Sequence, residues 1–203
     1  LGSAPKGLFQ LEIGMQSFNE KTLAYINRKT NTDILKKNIR KLLSYNNMHI
    51  HIDLIVGLPF EDMNSLRDSF NTGYYLNAHM LQLGFLKILH GATMDTDKKK
   101  YHYHYDDKPP YEIIDTDWLT KEEMADIHAL EDVLDRMNNS GRFLNTLNYL
   151  LAVTKSDPFD LLMGFGLYAK DRMDYKIDLD HYTALIYDYF KTLDNVDSIA
   201  LRD

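Results

Sequence analysis

The chain has 203 residues, an apolar fraction of 44%, an aromatic fraction of 12% and a formal charge of -7. That length and apolar content suit a packed core of one or two domains and exclude a disordered tail. The negative charge argues against a general nucleic-acid binder, which needs a basic face to neutralise phosphates. Cysteine is absent, which excludes disulfides, thiolate metal sites and cysteine nucleophiles within this chain.

No apolar run approaches the roughly 18 residues of a membrane span, so no membrane partner is expected. The lack of cysteine is compatible with a reducing compartment, and the expected location is cytoplasmic. The opening Leu1-Gly2-Ser3-Ala4-Pro5-Lys6-Gly7 has neither an initiator Met nor the charged-then-apolar order of a secretory signal. The expectation is a chain entered inside a longer protein, with Gly2-Ser3 open to being a cloning remnant.

Leu8–Gln16 is a short apolar run with polar residues at Gln10, Glu12 and Gln16, the pattern of one strand face. Ser17-Phe18-Asn19-Glu20 offers caps for a helix from about Lys21 to Asn27. Asn31-Thr32-Asp33 opens a second helix whose Ile34, Leu35, Ile39, Leu42 and Leu43 share a face. His49–Gly57 reads as a second strand closed by Leu58-Pro59, and Asp62–His79 as a helix packing through Leu66, Phe70 and Tyr74. A third strand spans Met80–Leu89 and ends at His90-Gly91-Ala92-Thr93. Strands separated by helices predict parallel β-α units, in a barrel or a doubly wound sheet.

The pattern changes at Asp95–Lys100, a charged linker, followed by an irregular or briefly extended Tyr101–Pro110. From Thr116 onward the spacing is helical. Thr120-Lys121-Glu122-Glu123 is a capping box for a helix to about Met137, which Asn138-Asn139-Ser140-Gly141 ends. Further helices are expected over Arg142–Val153, Pro158–Met173 and Asp180–Leu193. The fold class is therefore α/β followed by all-α, with domains at residues 1–97 and 98–203.

In parallel β-α folds the ligand site lies beyond the carboxyl ends of the strands. That rule selects Glu12, Gln16 and Ser17 on the first strand, Asp53 and Gly57 on the second, and His90, Gly91 and Thr93 after the third. A parallel strand with both faces covered is nearly all apolar, so Asp53 is an expensive residue there. It either bridges Arg28 or a backbone amide, or it faces a ligand. His49-x-His51 and His102-x-His104 each put two imidazoles on one strand face, a spacing that suits a transition metal. A polar strand end and a solvated tyrosine-rich hinge explain them more simply, so no metal ligand is assigned. Trp118 reads as an anchor of the helical domain, and Arg142 as a capping residue or an anion contact at a helix start.

Leu11–Ser17 followed by Ile26-Asn27-Arg28 resembles the fourth strand and helix start of radical S-adenosylmethionine (radical SAM) enzymes. Asp53-Leu54-Ile55-Val56-Gly57-Leu58-Pro59 resembles their fifth strand, and Leu86–Met94 their sixth. The resemblance implies a partial parallel (β/α) barrel of the TIM type, of which this chain holds the last three β-α units. It places Gln16 and Arg28 at the methionyl and ribose portions of S-adenosylmethionine, as in the oxygen-independent coproporphyrinogen oxidases. It places Asp53 on the ribose hydroxyls, which suit a carboxylate acceptor. Ile55 and the backbone about Val56 and Gly57 form the adenine wall, and Glu12 faces substrate or cofactor.

The family's Cys-x3-Cys-x2-Cys loop, which holds a 4Fe-4S cluster, has no counterpart in this chain. Without the cluster no electron reaches the cofactor, so the chain alone is expected to be inactive and no catalytic residue is assigned. The cluster and the upstream half of the barrel are expected in a longer polypeptide. Pro109–Ile114, Asp117-Trp118-Leu119 and Asn138–Phe143 resemble a helical C-terminal domain of unknown function that follows a cobalamin-binding domain and a radical SAM barrel. Proteins of that kind are named methyltransferases or relatives of the anaerobic magnesium-protoporphyrin monomethyl ester cyclase. This implies cobalamin in the parent, a small-molecule substrate the motifs do not name, and a helical domain over the barrel mouth. The unpaired flank of Leu8–Gln16 is a sheet edge expected to self-associate or be covered. The residues leave two other readings open. One is a non-catalytic interaction module on a β-α platform; the other is another parallel α/β enzyme, such as an ordinary barrel, using Glu12 and Asp53 as acid and base.

Overall fold

In the computed structural model every residue is described except Thr30, Lys98, Tyr175, Arg202, Asp203 and the side chain of Thr93. The chain divides into two compact units, Leu1–Met124 and Ala125–Asp203. Residues 98–124, which the change in composition assigns to the helical domain, thus lie in the first unit.

The first unit is mixed α/β. Strands β1 (Gln10–Gln16), β2 (His49–Val56) and β3 (Met80–Phe85) form an open parallel sheet in the order β1-β2-β3. Helices α1 (Glu20–Tyr25) and α2 (Thr32–Ser44) join β1 to β2, and α3 (Met63–Tyr74) joins β2 to β3. Each helix starts where a side chain satisfies its first amides. Asn19 accepts from Lys21 and Thr22, Asn31 from Asp33 and Ile34, and Asp62 from Ser65. The expected helix to His79 stops at Tyr74, because the chain turns through Asn77 at φ 54, a left-handed conformation that ends helices.

Strand β2 alternates. Ile50, Ile52, Leu54 and Val56 are fully buried, while His49, His51, Asp53 and Ile55 stay accessible. The buried set packs against Leu66 and Phe70 of α3, with Leu81 and Leu83 beside it; Gly73 lets α3 approach Leu81 and Leu54. Right-handed crossovers between strands laid down in sequential order put all connecting helices on one face, which accounts for the alternation. The premise that both faces of this sheet are covered therefore does not hold in this chain.

The expected third strand is shorter than its apolar run. After Phe85 the chain leaves the parallel ladder and pairs antiparallel with residues 111–113, through Ile113 N to Leu86 O at 2.9 Å and Ile88 N to Tyr111 O at 3.0 Å. The expected linker contains a short helix, α4 (Thr93–Asp97); its neighbour Lys98 lies outside the described residues. The irregular stretch Tyr101–Pro110 holds β4 (His104–Tyr105), which pairs antiparallel with β5 (Ile113–Asp115) beyond it.

The capping box is realised as expected, with Glu123 Oε2 accepting from Thr120 N at 2.8 Å and Thr120 Oγ1 from Glu123 N at 3.2 Å. It opens α5 (Lys121–Val133), which continues as a π-helical segment, Leu134–Asn139. Then follow α6 (Leu144–Thr154), α7 (Pro158–Ala169) and α8 (Leu179–Phe190). The helical unit is centred on Phe165, whose ring meets Phe190 at 5.2 Å and Tyr182 at 5.9 Å. Gly166 brings α7 against the Ala129 backbone, where a β-carbon would sit 2.9 Å from the carbonyl oxygen. Among the described residues no helix is long and apolar enough to cross a membrane.

Candidate functional site

The accessible face of the sheet is polar. Register puts Glu12 beside His51, Gly14 beside Asp53, and Asp53 beside Gln82, with Ile55 beside Gly84. The register slips between Gly14 and Gln16, and Gln16 adopts φ 67, a strained conformation for a non-glycine residue. This bulge turns the Gln16 side chain back over the sheet. A β-carbon on Gly14 would stand 2.2 Å from Gln16 Nε2, so a side chain there would push the Gln16 amide out of this position. Arg28 arrives from the turn after α1 and donates from Nη1 to the Gly14 carbonyl at 2.9 Å. Gln16, Arg28 and Asp53 thus converge around Gly14, from three segments of the chain.

Asp53 makes no bridge to Arg28, whose Nη1 donates to the Gly14 carbonyl. Its Oδ1 is buried and has no hydrogen-bond partner. Burial raises its pKa above the ordinary carboxylate value, Glu12 raises it further, and His51 opposes the rise. Such a carboxylate is a ready acceptor for donors brought by a ligand. Ile55 lies one residue pair further along, against Gly84, whose missing side chain keeps the neighbouring strand low; a β-carbon there would lie 3.1 Å from Ile55 Cδ1. Gly57 ends the strand at φ +88, and a β-carbon there would collide with Ile113 Cγ2 at 2.8 Å. Residue 57 therefore has to be glycine for β5 to close over the end of β2.

Behind this face lies a buried polar cluster that joins Ser17, selected at the end of the first strand, to Glu61 and Ser69, which the residue pattern did not single out. Glu61, 1% exposed, accepts from Ser17 Oγ at 2.5 Å and from Ser69 Oγ at 3.0 Å through one oxygen, Oε1. Its Oε2 has no partner. Burial pushes the Glu61 carboxyl up to about 7, with the two serines opposing and Asp62 adding to the rise. The same serines accept from the backbone of Asn19 and Phe18, and Thr22 Oγ1 and Asn19 Nδ2 donate to the carbonyls of Pro59 and Phe60. The loops following β1 and β2, which begin after Gln16 and at Gly57, are thereby tied to each other and to α3. No sequence signal marked Glu61, because its partners come from distant segments.

Half-buried rings flank the loops. Phe60, at φ 65, meets Tyr25 at 5.6 Å, Tyr101 at 5.7 Å and Trp118 at 4.9 Å. Tyr25 donates its hydroxyl to Asp97, and burial holds its pKa above the ordinary phenol value. Trp118 thus packs inside the first unit.

The remaining candidates lie apart. His90 stacks edge-on to Tyr111 at 5.6 Å. His102 and His104 each face their own carboxylate, Asp117 at 2.9 Å and Asp115 at 2.6 Å. His49 and His51 meet at 2.8 Å at the amino end of β2, opposite to the Gln16–Asp53 end. Among the described residues no group of three or more His, Asp or Glu side chains is arranged to hold a metal ion.

No curated protein matches the chain. Residues 99–199, just under half of the 203, match the model of a family described as protein of unknown function (DUF4080), a stretch that contains Pro109–Ile114, Asp117–Leu119 and Asn138–Phe143.

Proposed function

We propose that this chain is the C-terminal part of a radical S-adenosylmethionine enzyme: the last three β-α units of its barrel, followed by a helical accessory domain. The observation that carries the reading is the convergence of Gln16, Arg28 and Asp53 around Gly14, with Asp53 Oδ1 buried and without a partner. An all-parallel sheet in sequential order with its buried face toward the connecting helices also supports the reading, since consecutive β-α units of a barrel wall follow that order.

The residues fit the cofactor. Asp53 accepts the ribose hydroxyls with the oxygen that lacks a partner, and Gln16 and Arg28 supply donors for the methionyl and ribose portions. Ile55 and the backbone at Gly57 wall the adenine, and Glu12 faces the substrate side. S-adenosylmethionine supplies radical chemistry once an iron–sulfur cluster delivers an electron. This chain has no cysteine and so contributes none of the thiolate ligands. The cluster, and a cobalamin domain, belong in this proposal to other parts of the parent, whose reaction would be methyl transfer or cyclisation. The match over residues 99–199 supports the reading where it overlaps the helical-domain resemblance.

The test uses the full-length protein that carries this chain, reconstituted anaerobically with iron and sulfide. It binds and reductively cleaves S-adenosylmethionine, and Asp53→Ala weakens binding by about tenfold or more, the loss expected when a charged acceptor is removed. Protein that neither binds nor cleaves the cofactor sinks the proposal. Normal turnover in Asp53→Ala, with loss of a partner held through residues 116–203, favours the interaction-module reading.

A further inference from the structure

The helical unit carries a cavity of about 300 Å³ bounded by the π-helical segment, the start of α6 and the start of α8. Phe143, Ile177, Leu179 and the ring of Tyr182 give it apolar walls, and Arg136 and Arg142 give it cations. Its volume is at the low end for small-molecule sites.

The wall beside it is irregular. Ser140 N donates to the Asp135 carbonyl at 2.9 Å, five residues back, and single π turns of this kind recur at functional sites. Tyr182 is 3% exposed, yet its hydroxyl has no hydrogen-bond partner. A buried hydroxyl left so is costly and calls for an acceptor. The start of α6 is unsatisfied too, because its N-cap is Phe143 and no side chain caps it; the first amides of such a helix favour an anion.

The charges around the cavity are not equivalent. Arg136 is held by Asp132, with Nε donating to both carboxylate oxygens at 2.9 and 2.8 Å. Asp178 caps α8 and also pairs with His181 Nδ1 at 2.7 Å, while Asp135 accepts from Asn139 Nδ2 at 2.7 Å. Arg142 is exposed, uses only its backbone N–H, toward Ser140 Oγ, and leaves its guanidinium without a partner among the described residues. Asp135 and Asp178 in the same lining disfavour a doubly charged phosphate, whereas one negative charge is matched by Arg142 and the start of α6.

We propose that this cavity binds a small organic carboxylate. Its charged end sits against Arg142, the α6 amides and the Tyr182 hydroxyl, and its apolar body lies between Phe143, Ile177 and Leu179. The site belongs wholly to the helical unit and does not depend on the cofactor reading above.

The experiment titrates the full chain with sodium benzoate at constant ionic strength and follows amide shifts by NMR. Saturable shifts are expected in residues 134–143 and 177–182. The neutral isostere benzamide, and inorganic phosphate, bind about tenfold more weakly or worse, and Arg142→Gln weakens benzoate by about tenfold. Arg142 is exposed and unpaired, so that variant keeps the native spectrum; Tyr182→Phe, which preserves the ring, weakens benzoate by about fivefold. Benzoate that causes no saturable shifts in these residues overturns the proposal. So does benzoate that binds Arg142→Gln as tightly as the native chain.

Discussion

Replacing Glu61 by Gln removes a buried titrating group and keeps its shape and its acceptor for Ser17 and Ser69. Raising a carboxyl from 4.5 to about 7 corresponds to about 3 kcal/mol, at about 1.4 kcal/mol per pH unit. The folded chain holds the proton more tightly than the unfolded chain does. The stabilisation from protonated Glu61 is therefore complete below 4.5 and is lost as pH rises through about 7. Gln does not titrate, so the unfolding free energy of Glu61→Gln minus that of the native chain increases by about 3 kcal/mol between about pH 4 and about pH 8. Asp33, Asp62 and Asp178, whose pKa values are lowered and which lose their stabilisation in acid, are common to both proteins and largely cancel. Urea unfolding at a series of pH values, read by fluorescence, provides the assay. Trp118 is the single tryptophan and packs on Phe60, next to Glu61, so its emission reports on the first unit. A difference that stays flat across the series would refute the reasoning. It would mean that Glu61 ionises as freely in the folded chain as in the unfolded one.

Gly57→Ala forces a β-carbon toward Ile113 at φ +88 and is expected to cost about 1–3 kcal/mol, read by the same Trp118 transition. Phe165→Ala empties the aromatic centre of the helical unit and is expected to cost about 3–5 kcal/mol, seen as earlier loss of helical circular dichroism on heating. The outer edge of β1 pairs with no described strand, so the chain is expected to associate with itself as concentration rises. Sedimentation that stays monomeric across a concentration series would contradict this.

Periodicity alone located the parallel strands and the helices of the second half, because those elements are built on repeating apolar positions such as Ile50, Ile52, Leu54 and Val56. The boundaries it misjudged were set by contacts or turns that no repeat announces. Leu86–Ile88 continues the apolar run of β3, yet its backbone is taken by residues 111–113. Asp95–Lys100 reads as a linker because it is charged, although a turn of helix runs into it to Asp97, whose carboxylate accepts from the Tyr25 hydroxyl. The change in composition near residue 97 and the start of the family match at residue 99 coincide. The compact units divide later, at Met124, because the Tyr101, Ile113 and Trp118 side chains pack with the α/β unit. Within the candidate site, Gln16, Arg28 and Asp53 were legible through a resemblance in motif order. Glu61 was not, since a single acid between Phe60 and Asp62 looks like a helix start, and its meaning lies in Ser17 and Ser69.

Asp53 and Glu61 are the same kind of group in opposite settings. Both are carboxylates near the ends of β1 and β2, both have raised pKa values, and each has one oxygen without a partner. Glu61 is sealed, takes two serine hydroxyls on its other oxygen, and organises the loops from behind. Asp53 stands on the accessible face, near His51 and Glu12, with Gly14 and Gln82 beside it on the two neighbouring strands. A carboxylate that tied the loops together would gain nothing from an open face, and one that received a ligand would be useless in a sealed core. The division fits a site whose receiving surface is held in place by a layer of its own. On that argument Glu61→Gln should leave Asp53 and Gln16 in position, and disrupting Ser17 or Ser69 should reach the accessible face only through the loops they hold.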